Sequence, residues 1–219
     1  AKKAYPQLTC KGELDRQTKR DIYQRVGTLF GHKVGSTVLV SIDSIIISAF
    51  LGLTTMGIYG NYYYILTAVN AMVEIITNGA ISGIGNKLVM DTKEENYSLF
   101  QTMSYGWMFL IGAAAACMLC LYQPFMQIWM GKENMLSFHY VICFVIYFYT
   151  MGMNKIVNMF KDAAGIWRKD RLRPLTAALV NLGLNLATVQ WLGIYGVLLS
   201  SVVAIVAVEI PWLFNNLFK

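Results

Sequence analysis

Charge is scarce in this sequence. Only 14% of the 219 residues are Asp, Glu, Lys or Arg, against about 25% in an ordinary soluble domain. Histidine occurs twice, as His32 and His139, in segments expected on opposite sides of a membrane, so no histidine-based metal or proton-relay site assembles from the pair. Of four cysteines, Cys10 sits in a basic polar segment and Cys117, Cys120 and Cys143 in apolar runs, which leaves no disulfide framework. The C-x-x-C of Cys117 and Cys120 lies inside an apolar helix and reads as two small hydrophobes rather than a redox pair. No G-x-x-x-x-G-K-[ST] is present, so no nucleotide hydrolysis is expected. There is also no G-x-S-x-G elbow, and the loops are too short for an integral-membrane glycosyltransferase. The sequence therefore predicts a protein that is not an enzyme and uses no cofactor or metal. It also has no signal peptide and no initiator Met. Its opening Ala1-Lys2-Lys3 reads as the interior of a longer protein.

Apolar residues are abundant. Hydrophobic residues make up 56% of the chain, and the mean hydropathy is +0.48. Six apolar runs, near 34–53, 56–85, 99–122, 138–160, 174–191 and 194–214, are each long enough for a hydrocarbon core ~30 Å thick at 1.5 Å per residue. The predicted fold is an all-α integral membrane bundle of six helices. Residues 1–33, with Lys2, Lys3, Lys11, Arg16, Lys19, Arg20, Arg25 and Lys33, form a basic amphipathic connector on the membrane surface, with Ile22, Val26, Leu29 and Phe30 at helical spacing. Residues 34–219 form the spanning lobe.

The net charge of +6 does not point to nucleic acid, because the basic residues fall between the apolar runs. Segments 1–33, 86–98 and 161–173 carry them, and alternate with the charge-poor 51–57, 123–137 and 190–195. The positive-inside rule then puts the basic set, and both chain ends, in the cytoplasm. The same basic residues would suit anionic lipid headgroups at ~1 kcal/mol each.

Polar residues inside the spans are the most informative feature. Tyr63, Thr67, Asn70, Glu74, Thr77 and Asn78 lie within roughly 50° of one line down the second span at ~100° per residue. The fourth span repeats the pattern with Tyr140, Tyr147, Thr150, Asn154 and Asn158, with Lys155 beside them, and the fifth with Asn181, Asn185 and Thr188. An unpaired polar group in hydrocarbon costs several kcal/mol. Interhelical hydrogen bonds, typically worth ~0.6 kcal/mol, would explain one Asn or Thr; three stripes with Glu74 favour a hydrated cavity. Asp43, near the middle of the first span, lies about 120° from the stripe Thr37, Ser41, Ser44 and Ser48. It is open to protonation, to pairing with a cation such as Lys155, to a proton or cation site, or to a structural capping role. Glu209, beside Pro211 and Trp212, is assigned to the interface. Gly106, Gly112 and the run Ala113 to Ala116 mark the third span as a packing helix.

Several stretches resemble one family. Gly31–Gly57 (GHKVGSTVLVSIDSIIISAFLGLTTMG), the following IYGNYYY of 58–64, Gly83-Ile84-Gly85-Asn86, and Ala163–Gly196 (AAGIWRKDRLRPLTAALVNLGLNLATVQWLGIYG) look like the Wzx-type polysaccharide flippases, the polysaccharide-transport branch of the MOP exporter superfamily. The resemblance implies one lobe, the second, of a two-lobe MATE-like transporter in the bacterial cytoplasmic membrane, whose first lobe would be a partner. It implies flipping of undecaprenyl-pyrophosphate-linked oligosaccharide repeat units for surface polysaccharide, with membrane lipids and polymerase machinery as further partners. On that reading Asn70, Asn154, Asn158, Asn181 and Asn185 supply sugar contacts, and Arg25, Lys33, Lys155 and Arg168 are the candidates for pyrophosphate by their depth. Asp43 and Glu74 are then the candidate ion-coupling carboxylates. A drug or cation antiporter of the same superfamily would want an acidic aromatic cavity instead. A non-transporting scaffold for sugar-assembly enzymes would use segments 1–33 and 161–173.

Overall fold

The computed structural model describes residues 15–167 and 169–218; the side chains of Arg25, Thr28, His32, Gly35, Ser36, Leu39 and Val40 lie outside that description. Every regular element among the described residues is helical: α1 (Arg16–Leu51), α2 (Leu53–Met90), α3 (Lys93–Met130), α4 (Phe138–Ala163), α5 (Arg173–Leu192) and α6 (Ile194–Leu217). A short 3-10 turn, Lys132–Asn134, precedes α4, and Ile205–Glu209 within α6 is a π-helical turn.

Local signals account for where the helices start and stop. Asp15 caps α1, its carboxylate accepting the backbone N–H groups of Gln17 and Thr18 at 3.2 Å each, as an N-cap should. Thr92 and Glu95 form a capping box at the start of α3, with Thr92 N donating to Glu95 at 2.9 Å. Pro174 occupies the first turn of α5, where its missing N–H costs nothing. One residue, Gly193 at φ +57°, turns α5 into α6, a backbone conformation that favours glycine.

Helix α1 runs unbroken from Arg16 to Leu51, so the described part of the predicted connector and the start of the first predicted span share one helix. Among the described residues five helices, α2 to α6, are long and apolar enough to cross a membrane, as in a multi-pass membrane protein; the expected sixth span, 34–53, includes residues of α1 outside that description. In α1 the apolar stretch among the described residues is Ser41–Leu51. At 38 residues each, α2 and α3 would reach about 57 Å, well beyond the apolar runs inside them.

Helices α1, α2, α4, α6 and α5 follow one another around a closed circuit, and α3 packs outside it against α4. Between α3 and α4 the approach is close at Gly152, whose carbonyl accepts the Trp107 indole N–H at 2.7 Å. A Cβ on Gly152 would stand 2.6 Å from Ile111 Cγ2, so glycine here sets the helix separation. Further along, Tyr59, Tyr62, Tyr122 and Phe144 form a fully buried aromatic cluster, with Tyr62 and Tyr122 stacked at 5.5 Å. Tyr62 also ties down the connection to α4: its hydroxyl accepts Leu136 N at 3.0 Å and donates to Gln123 at 3.3 Å.

Candidate functional site

A half-open cavity of about 590 Å³, with many polar side chains in its lining, lies among these helices. From α2 it is lined by Asn70, Glu74, Thr77, Asn78 and Ile81, which recur every three or four residues and so share a face. Across from them α4 contributes Tyr147, Met151, Asn154, Lys155, Asn158 and Met159. A third wall comes from Ser201, Ala204, Ile205 and Glu209 of α6, and Lys33 of α1 adds a cation. A π turn carries more residues than an α turn, which brings Glu209 back into line with Ser201 on the cavity side.

Three polar groups organise this region. In the first, Lys155 Nζ donates to Glu74 Oε1 at 2.8 Å and to Asn70 Oδ1 at 2.9 Å. Lys155 is 20% exposed and Glu74 52%. This pair crosses the cavity from α4 to α2.

The second group lies at the end of the bundle where α4 ends and α5 begins. Arg173 holds Asp170 through Nε at 2.7 Å and Nη2 at 3.0 Å, Glu209 through Nη1 at 3.1 Å and the Asn158 amide oxygen at 2.9 Å. Lys161 meets Asp162 at 2.6 Å and Asp170 at 3.3 Å, with the Trp167 ring 4.1 Å away. The Asn154 amide donates to Glu209. Asp170 is wholly buried and Lys161 and Arg173 nearly so, so their desolvation is offset only because each charge has close opposite partners. Asn154 Oδ1 is left without a hydrogen-bond partner.

The third group is closed off between α1, α5 and α6. Asp43 accepts the Asn185 amide at 2.8 Å and the Ser201 hydroxyl at 2.7 Å. Asn181 donates to Ser201 at 2.9 Å and accepts from Asn185 at 3.1 Å. All four residues are buried, and Asn185 Oδ1 has no hydrogen-bond partner.

The predicted site residues divide accordingly. Asn70, Glu74, Asn78, Tyr147, Asn154, Lys155, Asn158 and Lys33 line the cavity. Asn181 and Asn185 do not, because α5 turns that face toward α1 and α6. Tyr63 stacks on Tyr59 at 5.7 Å, and Thr67 bonds back to the Tyr64 carbonyl at 2.8 Å. Lys155 pairs with Glu74 and not with Asp43. The Arg25 side chain, and Arg168 entirely, fall outside the described residues.

Glu209 departs from its interfacial assignment: it is 7% exposed and joins Asn154 to Arg173. Its spacing from Ser201 and Ile205, i+8 and i+4, was the available signal. Arg173, read as a loop charge, is likewise a buried ion-pair centre. Of the basic residues described in 161–173, Lys161 and Arg173 are buried while Lys169 and Arg171 are exposed. A second cavity, about 700 Å³ and almost wholly apolar, lies between α2 and α3 on Ile65, Ala68 and Met72, the side of α2 away from Asn70 and Glu74.

Comparison with known proteins finds no matching family model, no matching curated protein and no matching solved structure.

Proposed function

We propose that this protein is a flippase lobe that moves polyprenyl-pyrophosphate-linked oligosaccharide units across the bacterial cytoplasmic membrane, and that it does so without enzymatic chemistry. The observation that carries the reading is the polar cavity between α2, α4 and α6, placed within helices of spanning length. A sugar head needs partners that both donate and accept, and Asn70, Asn78, Asn154 and Asn158 supply both. Lys155 and Lys33 add the positive charge a pyrophosphate requires.

Asp43 fits the role of coupling carboxylate. It sits among amide and hydroxyl groups with no cationic partner among its hydrogen bonds, and Ser201 belongs both to its network and to the cavity wall. An ion or proton taken up there would act on the α6 wall directly. The basic residues between the apolar runs favour an orientation with both chain ends in the cytoplasm. The completed transporter would include another lobe and would work beside polymerase machinery, with membrane lipids around it.

The test is genetic and chemical together. A bacterium lacking the protein should accumulate lipid-linked repeat units on the inner leaflet and lose surface polysaccharide, and the wild-type gene should restore both. Normal surface polysaccharide in the deletion strain would exclude this function. The lining also holds Glu74, Asp162 and Glu209 with Tyr147 and Trp167, so an antiporter remains the second reading, and the amides Asn70, Asn78, Asn154 and Asn158 are what favour a sugar head.

A further inference from the structure

Two hydrogen-bond donors on different helices converge on one carboxylate oxygen. Lys155 Nζ of α4 lies 2.8 Å from Glu74 Oε1, and Asn70 Nδ2 of α2 lies 3.5 Å from the same atom. We propose that Glu74 Oε1 occupies the place of a ligand oxygen, and that a phosphorylated head group entering the cavity displaces Glu74 from Lys155 and Asn70. This rests on the transport reading of the cavity and assigns its anion subsite.

The two members of the ion pair are unequal. Glu74 is 52% exposed, whereas Lys155 is 20% exposed. A half-exposed carboxylate is well solvated once released and gains little from the pair. The ammonium, by contrast, sits in the wall and stays positioned when the carboxylate leaves, because Asn70 Oδ1 also holds it at 2.9 Å. An ammonium has three donors, and Glu74 and Asn70 engage two of them. A phosphoryl group offers several acceptor oxygens and more charge than a carboxylate, so it competes well for the same donors.

Lys161 in the cavity lining and Arg173 beside it cannot serve in this way. Lys161 is 1% exposed and held by Asp162 and Asp170. Arg173 is 4% exposed and held by Asp170, Glu209 and Asn158. Releasing either would strand a buried carboxylate. Releasing Lys155 strands only Glu74, which water can take. The Glu74 carboxylate thereby excludes weak anions from an otherwise attractive ammonium, and a ligand must out-compete it to bind.

The experiment titrates inorganic pyrophosphate into the protein in nanodiscs of zwitterionic lipid and follows heat. Wild type should bind weakly. Glu74→Gln should bind about tenfold tighter or more, a change of one decade in Kd, and Lys155→Met should not bind; Lys155→Arg should retain binding. If Glu74→Gln does not accumulate, Glu74→Asp carries the same expectation with a smaller gain. Equal affinity in wild type and Glu74→Gln, binding that survives Lys155→Met, or no binding in any variant would each overturn the subsite. Surface polysaccharide scored in the same strains separates the two claims. Normal export by a Lys155→Met variant that binds no pyrophosphate removes the subsite and leaves transport standing. Normal export without the protein removes the transport reading itself.

Discussion

Asp43 of α1 and Asn185 of α5 stand 142 residues apart and share a hydrogen bond of 2.8 Å. That contact joins the first helix of the bundle to the fifth through a carboxylate, 5% exposed, that takes its second hydrogen bond from Ser201. Asp43→Leu should therefore strand two buried donors, at about 1–3 kcal/mol for each unsatisfied group. Asp43→Asn keeps a polar partner and should lose far less stability while abolishing transport if the carboxylate couples it. Thermal melts in detergent compared with surface polysaccharide separate the two roles. Equal export by wild type and Asp43→Asn would remove Asp43 from coupling.

Arg173 is expected to be the most costly single deletion in the polar region. Arg173→Leu leaves Asp170 and Glu209 buried without their main cation, and breaking a buried pair in this way typically costs about 3–5 kcal/mol. Arg173→Lys should recover only part of that, because an ammonium cannot reproduce the guanidinium fork that reaches Asp170, Glu209 and Asn158 together. Melting temperature and folded yield in detergent provide the check; an unchanged melt for Arg173→Leu would contradict the buried network.

These two residues show what the sequence disclosed and what it concealed. The apolar runs and the cavity face Asn70–Glu74–Asn78 follow from period and local chemistry. Asn181 and Asn185 were visible as a polar stripe, but a stripe does not say which neighbour it faces. Here the α5 stripe meets Asp43, and only the packing of α5 against α1 decides that. Glu209 was concealed by its nearness to the end of the helix, beside Pro211 and Trp212, where a carboxylate ordinarily meets the membrane interface. Arg173 was concealed because a basic residue in a short connection ordinarily meets solvent or lipid headgroups.

Gly152 tests the packing of α3 on α4. Gly152→Ala should destabilise by about 1–3 kcal/mol through overpacking, since its Cβ would meet Ile111 Cγ2 at 2.6 Å. Ile111→Ala should relieve much of that loss in the double variant, giving a coupling energy outside additivity. Additive melts for the two changes would show that the helices are further apart than described.

The central claim is that α2, α4 and α6 wall a water-accessible cavity, while Asn185 lies outside its lining, behind the Ser201 wall. The most direct measurement starts from a cysteine-free background and places Glu74→Cys, Asn158→Cys and Asn185→Cys singly. Each is then challenged with a membrane-impermeant thiol reagent. Labelling of the first two with protection of the third is the predicted result. Protection of both Glu74→Cys and Asn158→Cys, or labelling of Asn185→Cys as fast as theirs, would contradict the account.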